Sequence, residues 1–285
     1  MSRLMRSISA EWRKVISTKL WWILSLVLAG YSAMMAATFA FLLGVGGDAM
    51  GGADGAGTAG ADALALPAQQ AVELVYSSVT TFGYVVPLLF GALMATGELR
   101  HRTLGLAFTL EPRRGVVLAG KAIVLLGFGV ALGVAGLIGA VGAGAPILES
   151  DGGAMLTTGD TWALFARMIV AIALWALIGF GIGLLLGNQA FAIVIALVFT
   201  QFVEPVLRMG AQFWEWSGQI ARFLPGAATD AFVGASVMSS MSTLDSSVPA
   251  GVGPLGIGGG LLVLLAYAVV AVLAGWATRW RRDIT

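Results

Sequence analysis

Five stretches of this 285-residue chain carry no charged residue over 24 residues or more: 20–47, 74–97, 122–148, 168–203 and 255–278. A helix needs about 20 apolar residues to cross roughly 30 Å of hydrocarbon. Hydrophobic residues make up 58% of the chain and charged residues 11%, whereas soluble domains carry about 25% charged residues. No soluble core could bury so much apolar surface. The pattern therefore excludes a soluble globular domain and a disordered chain.

Charge and reactive side chains exclude further classes. The net charge of +1 gives no field for binding nucleic acid. The chain has no cysteine, so it can form neither disulfides nor thiolate metal sites. Its single histidine, His101, cannot form a histidine cluster. No Ser/His/Asp set supports a hydrolase, so we predict that the chain is not an enzyme and holds no cofactor.

The longest uncharged stretch predicts two spans. Its 36 residues would make a helix of about 54 Å, which is too long for one crossing. Gly187-Asn188-Gln189 in its middle is typical of a tight turn. We therefore predict an all-α membrane protein with six transmembrane helices, at about 21–44, 74–97, 122–148, 162–187, 190–207 and 255–278.

Basic residues predict the orientation of the spans. Thirteen of the 16 Lys and Arg residues fall before the first predicted span, between the second and third, or after the sixth. The other three are Arg167, Arg208 and Arg222. Basic loops stay in the cytoplasm, so we expect both termini to be cytoplasmic in a multi-pass cell-membrane protein. Two cytoplasmic termini require an even number of spans, which independently favours dividing the longest stretch.

Two segments outside the spans have amphipathic character. Residues 1–19 precede the six-span domain at 20–285, and their apolar residues recur at helical spacing opposite basic ones, which predicts a helix lying in the membrane interface. A simple basic tail is the alternative. Residues 210–224 mix aromatic and polar residues, which predicts short external helices between spans five and six, ended by Leu224-Pro225-Gly226.

Two glycine motifs have structural explanations. The segment from Gly115 to Ala122 nearly matches a phosphate-binding loop, but Ala122 stands where the hydroxyl that binds magnesium is needed. We interpret Lys121 within it as an anchor at the membrane interface.

Small-xxx-small patterns in spans three and four allow close helix packing. Packing within one subunit is the interpretation we prefer to an oligomer interface. The glycines concerned are Gly129, Gly133, Gly179, Gly181, Gly183 and Gly187.

Glu204-Pro205 is the sharpest feature within a predicted span. A carboxylate at the bilayer centre costs about 2.5–3.5 kcal/mol, so such residues usually face protein or water. Pro205 removes a backbone donor and favours a kink. One hypothesis is a bent fifth span that faces a translocation path. The alternative is that Glu204 lies at the outer interface and pairs with Arg208 four residues later.

Residues 98–114 form the main predicted cytoplasmic loop, with acidic, basic and apolar residues together. Such a loop either docks a soluble protein or is a solvated basic connection.

The first span carries methionine and aromatic residues that suit the lining of a path for varied apolar cargo, because such groups adapt to different shapes. They are Met34, Met35, Phe39 and Phe41. Contact of these four residues with lipid or neighbouring helices is the alternative.

The order of several motifs resembles that of permease subunits of ATP-binding cassette exporters of the second type, particularly actinobacterial ones. Residues 9–14 followed by 17–22 are similar to the family's elbow helix. Residues 98–105, then 111–114 and Gly120-Lys121, are similar to its coupling segment. Residues 223–226 resemble its external leucine-proline turn. The resemblance covers essentially the whole chain, although the long Gly/Ala/Asp loop after span one departs from the family pattern.

The resemblance implies a division of labour. A separate cytoplasmic ATPase would bind ATP and magnesium, and two permease subunits, identical or different, would pair with two ATPase chains. Spans one, two and five would line the path, and external helices near Trp214 would close it. With Glu204, Pro205, Met35 and Phe39, Trp214 completes the predicted path and gate. The predicted coupling residues are Glu98, Arg100, Arg102, Thr103, Glu111 and Arg113.

The leading functional hypothesis is a transport subunit that exports a hydrophobic or amphiphilic compound with a partner's ATP. A secondary transporter driven by an ion gradient is the second hypothesis, and it predicts internal repeats and broken helices with buried ion ligands. The sequence shows no clear repeat. A third hypothesis is a non-transporting membrane scaffold or immunity protein, which needs no ATPase.

Overall fold

A computed structural model describes residues 2–43, 68–100, 113–149, 154–210, 215–235 and 255–280, with the backbone alone described at 43, 68, 98–100, 215 and 279–280. Every regular element within these ranges is helical. Six of the described segments are long and apolar enough to cross a membrane, which confirms the number of spans predicted from the sequence.

The helices follow the chain in a simple order. A short helix precedes the first span, and the residues described between the fifth and sixth spans form two more short helices. The elements are α1 (Arg3–Ser17), α2 (Leu20–Leu43), α3 (Ala68–Thr81), α4 (Val85–Arg100), α5 (Arg114–Glu149), α6 (Gly159–Leu186), α7 (Gln189–Val198), a π-helical turn (Phe199–Val203), α8 (Glu204–Gly210), α9 (Glu215–Ala221), α10 (Pro225–Val233), α11 (Ile257–Gly275) and a second π-helical turn (Trp276–Trp280).

The longest uncharged stretch is divided where the sequence predicted. α6 ends at Leu186, and Gly187 adopts the left-handed conformation with φ of 65°. Asn188 then caps α7, because its side-chain oxygen accepts a hydrogen bond from the Phe191 N–H at 3.2 Å. A glycine in the left-handed region followed by an asparagine N-cap ends one helix and begins the next. The fourth and fifth spans are therefore separate helices.

Glycines set the closest helix contacts. A Cβ at Gly179 would meet the Leu88 backbone, and one at Gly91 would meet the backbone of Ala176 and Phe180. The second and fourth spans therefore run parallel with their backbones almost touching. Gly129, Gly133, Gly181 and Gly183 pack in the same way on residues of this chain, which confirms the prediction of packing within one subunit.

The fourth span is the centre of the bundle. In the most apolar 18-residue segment of the fourth span, 67% of the residues are buried, and in that of the second span the share is 61%. In the first, fifth and sixth spans the share is 22% or less. The outer spans thus present apolar side chains to the surroundings, as a protein solvated by lipid does. Trp175, on the fourth span, is 1% exposed and is among the largest fully buried side chains.

The second span departs from its prediction. It is not one continuous helix over 74–97 but two, with α3 ending at Thr81 and α4 beginning at Val85. A Cβ at Gly83, in the break, would come within 2.9 Å of the Leu28 side chain and closer still to the Val79 carbonyl. Only glycine fits there, so the break is built into the sequence.

Leu224-Pro225-Gly226 begins a helix that the sequence analysis did not predict. Pro225 occupies the first turn of α10, where its missing N–H costs nothing. Ala228 and Phe232 of this helix pack on Gly260 at the start of the sixth span, and residues throughout α10 are buried. α10 is therefore part of the packed bundle.

Candidate functional site

A cavity of about 180 Å³ lies where three irregular features meet: the break in the second span, the π-helical turn of the fifth span and the start of α10. We call it the polar cavity. Its lining consists of Thr80, Thr81, Phe82 and Tyr84 from the second span, Thr200, Gln201, Glu204, Pro205 and Arg208 from the fifth, and Gly226, Thr229 and Asp230 from α10.

Tyr84 joins the three irregular features. Its hydroxyl donates to the Thr200 carbonyl at 3.1 Å, and its ring stacks on Trp175 with centroids 4.4 Å apart. The Trp175 indole N–H in turn donates to the Thr229 hydroxyl at 2.9 Å. Because backbone irregularities within a membrane need partners inside the protein, these bonds stabilise one arrangement of the cavity wall.

Glu204 lies beneath the N-terminus of α10. Its side chain is buried, with 2% of the residue exposed. One carboxylate oxygen, Oε1, accepts a hydrogen bond from the Ala227 N–H at 3.1 Å, and a Cβ at Gly226 would crowd the same carboxylate. The partial positive charge of a helix N-terminus stabilises an acidic group there. The other oxygen, Oε2, is buried without a hydrogen-bond partner.

Arg208 does not pair with Glu204. Its guanidinium instead donates to Asp230 Oδ2 of α10 at 2.5 Å, and both side chains are largely buried. The alternative prediction of an ion pair between Glu204 and Arg208 is therefore wrong. The finding leaves Glu204 as the one carboxylate of the cavity lining that has no basic partner in the described structure.

The structure separates the predicted path residues. Glu204 and Pro205 both line the polar cavity, whereas Met35 and Phe39 do not. Met35 and Phe39 are partly buried on the first span, and Phe39 packs against the apolar core. Trp214 lies outside the described residues.

The predicted coupling residues fall mostly beyond the described structure. Glu98 and Arg100 lie in the last turn of α4, with only their backbones described. Arg113 is exposed and immediately precedes α5. Arg102, Thr103 and Glu111 lie outside the described ranges, so the coupling segment stays a prediction.

Lys121 is not an interfacial anchor. It is 4% exposed and pairs with Glu11 of α1, with Nζ 2.8 Å from Oε1. Trp12 of α1 adds a ring contact with Phe128, with centroids 4.7 Å apart. The first helix therefore docks on the third span through a buried ion pair. Burial and the Lys121 ammonium lower the pKa of the half-exposed Lys14, and the Glu11 carboxylate opposes that shift.

Most of the cavity wall was not predicted from the sequence, including Tyr84, Thr229 and Asp230. Trp175 was the available signal, because it lies in the middle of the predicted fourth span. An aromatic residue with a polar N–H in mid-span needs a hydrogen-bond partner nearby. Gly83 in the middle of the predicted second span was the second signal.

The fold and the site define the class of this protein: it is a helical multi-pass membrane protein with a polar cavity lined by interrupted spans. Among the described residues, no three acidic or histidine side chains come together as a metal site. No protein-family model matches the chain, and no curated protein matches it. The resemblance to exporter permeases therefore stays a prediction.

Proposed function

We propose that the chain is the permease subunit of an ATP-binding cassette transporter and that the polar cavity is part of its translocation path. The observation that carries the proposal is the meeting of a broken second span, a widened fifth span and a buried carboxylate at one cavity. Ionisable groups inside a membrane usually mark substrate or ion pathways. Irregular backbone at that depth is tolerated where it lines such a cavity or is buried in protein.

In this proposal a separate cytoplasmic ATPase supplies the energy. It binds ATP and magnesium and contacts the segment 98–114, while a second permease subunit, identical or different, completes the membrane complex. Both termini lie in the cytoplasm and α1 lies in the interface of the cell membrane. Exposed apolar side chains of α1 support that placement: they are Leu4, Met5, Trp12 and Ile16. The cargo is a hydrophobic or amphiphilic compound moved outward.

Co-purification tests this function most simply. An affinity-tagged full-length chain, extracted from its native membrane in mild detergent, should bring with it a cytoplasmic ATPase whose ATP hydrolysis rises in the complex. A chain that reproducibly purifies with no ATPase would contradict the proposed division of labour.

Substitutions in segment 98–114 should uncouple the two subunits. Glu98→Ala or Arg102→Ala removes a charged group that we expect to contact the ATPase, so ATP-driven transport should fall while membrane insertion is unchanged. The measurement is transport in vesicles together with the amount of inserted protein. Arg222→Ala, on the other predicted side, serves as the control. Unchanged transport in the first two variants would remove the coupling assignment.

An ion-gradient transporter is the second candidate function. The break at residues 82–84 and the unpartnered Glu204 oxygen favour it, because interrupted helices with buried ion ligands are typical of such transporters. The chain purified alone and reconstituted in liposomes distinguishes the two functions. Gradient-driven uptake without ATP would establish the second function, and its absence alongside ATP-driven transport would establish the first.

A further inference from the structure

We propose that the polar cavity binds the ammonium group of a small organic cation, with Glu204 as its counter-ion. The binding itself does not depend on the ATPase or on transport. Only the further statement that such a cation is the transported cargo rests on the proposed function. A small organic cation is a narrower class of ligand than the hydrophobic or amphiphilic compound predicted from the sequence.

The charges of the cavity lining favour a cation. Three of the side chains that line it carry a charge at neutral pH: Glu204, Arg208 and Asp230. Because Arg208 and Asp230 pair with each other, their charges cancel and the carboxylate of Glu204 remains. The N-terminus of α10 offsets part of that negative charge. The charge that remains is negative, so it attracts a cation and repels an anion.

The geometry of Glu204 leaves one oxygen for a ligand. Oε1 is held by the Ala227 N–H, which fixes the position of the carboxylate. Oε2 is buried and has no hydrogen-bond partner, although the side chain lines the cavity. A buried acceptor without a partner is unfavourable. A hydrogen bond donated by a bound ammonium group would remove that cost.

The rest of the lining favours an organic cation over a metal ion. Tyr84 and Phe82 place aromatic rings at the cavity, and ammonium groups are attracted to aromatic faces. The hydroxyls of Thr80, Thr200 and Thr229 each donate to a backbone carbonyl. In the described structure no cluster of three acidic or histidine ligands is available for a metal.

Calorimetry on the full-length protein in mild detergent tests the proposal. The probe is 2-phenylethylammonium chloride, and 2-phenylethanol is its uncharged counterpart. The ammonium compound should bind and the alcohol should not. Glu204→Gln should weaken ammonium binding at least tenfold, because its amide oxygen can still accept the Ala227 hydrogen bond but carries no charge. Glu73→Gln, on the same span as Tyr84 but outside the cavity, is the matched control and should bind as the wild type does.

Gln201 gives a second test that does not disturb a buried group, since this cavity residue is exposed. Gln201→Glu should tighten binding of the ammonium probe and Gln201→Lys should weaken it. Equal affinities in wild type, Glu204→Gln and both Gln201 variants would overturn the proposal.

Sodium provides the remaining comparison. Replacing potassium chloride by sodium chloride at constant ionic strength should not change the unfolding midpoint. Stabilisation by sodium that Glu204→Gln abolishes would assign the cavity to an alkali cation and overturn the organic assignment. All three measurements use no ATP. Failure to co-purify an ATPase would therefore leave the ammonium site intact, and failure of ammonium binding would leave the proposed permease function intact.

Discussion

Gly91→Ala should disrupt the packing of the second span on the fourth and lower the free energy of unfolding by about 1–3 kcal/mol. The added methyl would lie against the Ala176 carbonyl and the Phe180 N–H, which are backbone atoms and cannot rotate away. Gly179→Ala should have a similar effect, because its methyl meets the Leu88 backbone from the other helix. Tryptophan fluorescence during denaturation in a mild detergent measures both.

Gly97→Ala is the matched control for this prediction. It lies on the same helix as Gly91, six residues later, and a Cβ there meets nothing within 4 Å. Alanine forms helices better than glycine by up to about 1 kcal/mol, so this variant should be as stable as the wild type or slightly more so. Equal unfolding midpoints for Gly91→Ala and Gly97→Ala would show that the two spans do not approach as closely as described.

Lys121→Met should release α1 from the third span. Removing one partner of a buried ion pair costs up to about 3–5 kcal/mol where the remaining charge has no other partner. Glu11 would keep only the half-exposed Lys14, whose Nζ is 3.9 Å away, so we expect the cost to lie below that range. Glu11 is 6% exposed, and its Oε2 already has no hydrogen-bond partner. Undocking of α1 is therefore the favourable response. Since the chain has no native cysteine, a cysteine at Ser7, which faces Gly120, reports undocking as an increase of at least tenfold in its rate of thiol labelling.

Two further variants separate the ion pair from simple packing. Glu11→Met combined with Lys121→Met replaces both charges by apolar groups of similar volume and should restore slow labelling. Lys14→Met removes a half-exposed lysine whose Nζ is 3.9 Å from Glu11, and should change stability by less than about 1 kcal/mol. Fast labelling in the double variant, or slow labelling in Lys121→Met, would contradict the role assigned to the pair.

Span number and helix–helix packing could be predicted because both depend on local composition. A stretch of 36 uncharged residues cannot be one span, and Gly187-Asn188 is a turn signal wherever it occurs. Likewise, small residues repeated at intervals of four permit close contact on any neighbouring helix. The sequence also identified Glu204-Pro205 as the unusual feature of the fifth span.

The wall of the polar cavity could not be predicted, because it depends on contacts between distant segments. One of the two alternatives paired Glu204 with Arg208 of its own helix, but its observed partner, the N-terminus of α10, lies more than 20 residues later. Arg208 likewise pairs with Asp230 of α10, at a similar separation along the chain. Lys121 was assigned to the interface because lysines near span ends usually extend there. Its true partner, Glu11, lies 110 residues earlier.

Cysteine labelling tests the central claim, that a water-accessible polar cavity interrupts the membrane-spanning bundle, most directly. Gln201→Cys places a thiol at the cavity, and Phe202→Cys places one at the next position, where the side chain is 68% exposed and lines no part of the cavity. In intact membranes a membrane-impermeant trimethylammonium thiol reagent should react with the cysteine at 201 at least tenfold faster than with the cysteine at 202. Equal rates at the two positions would contradict the claim.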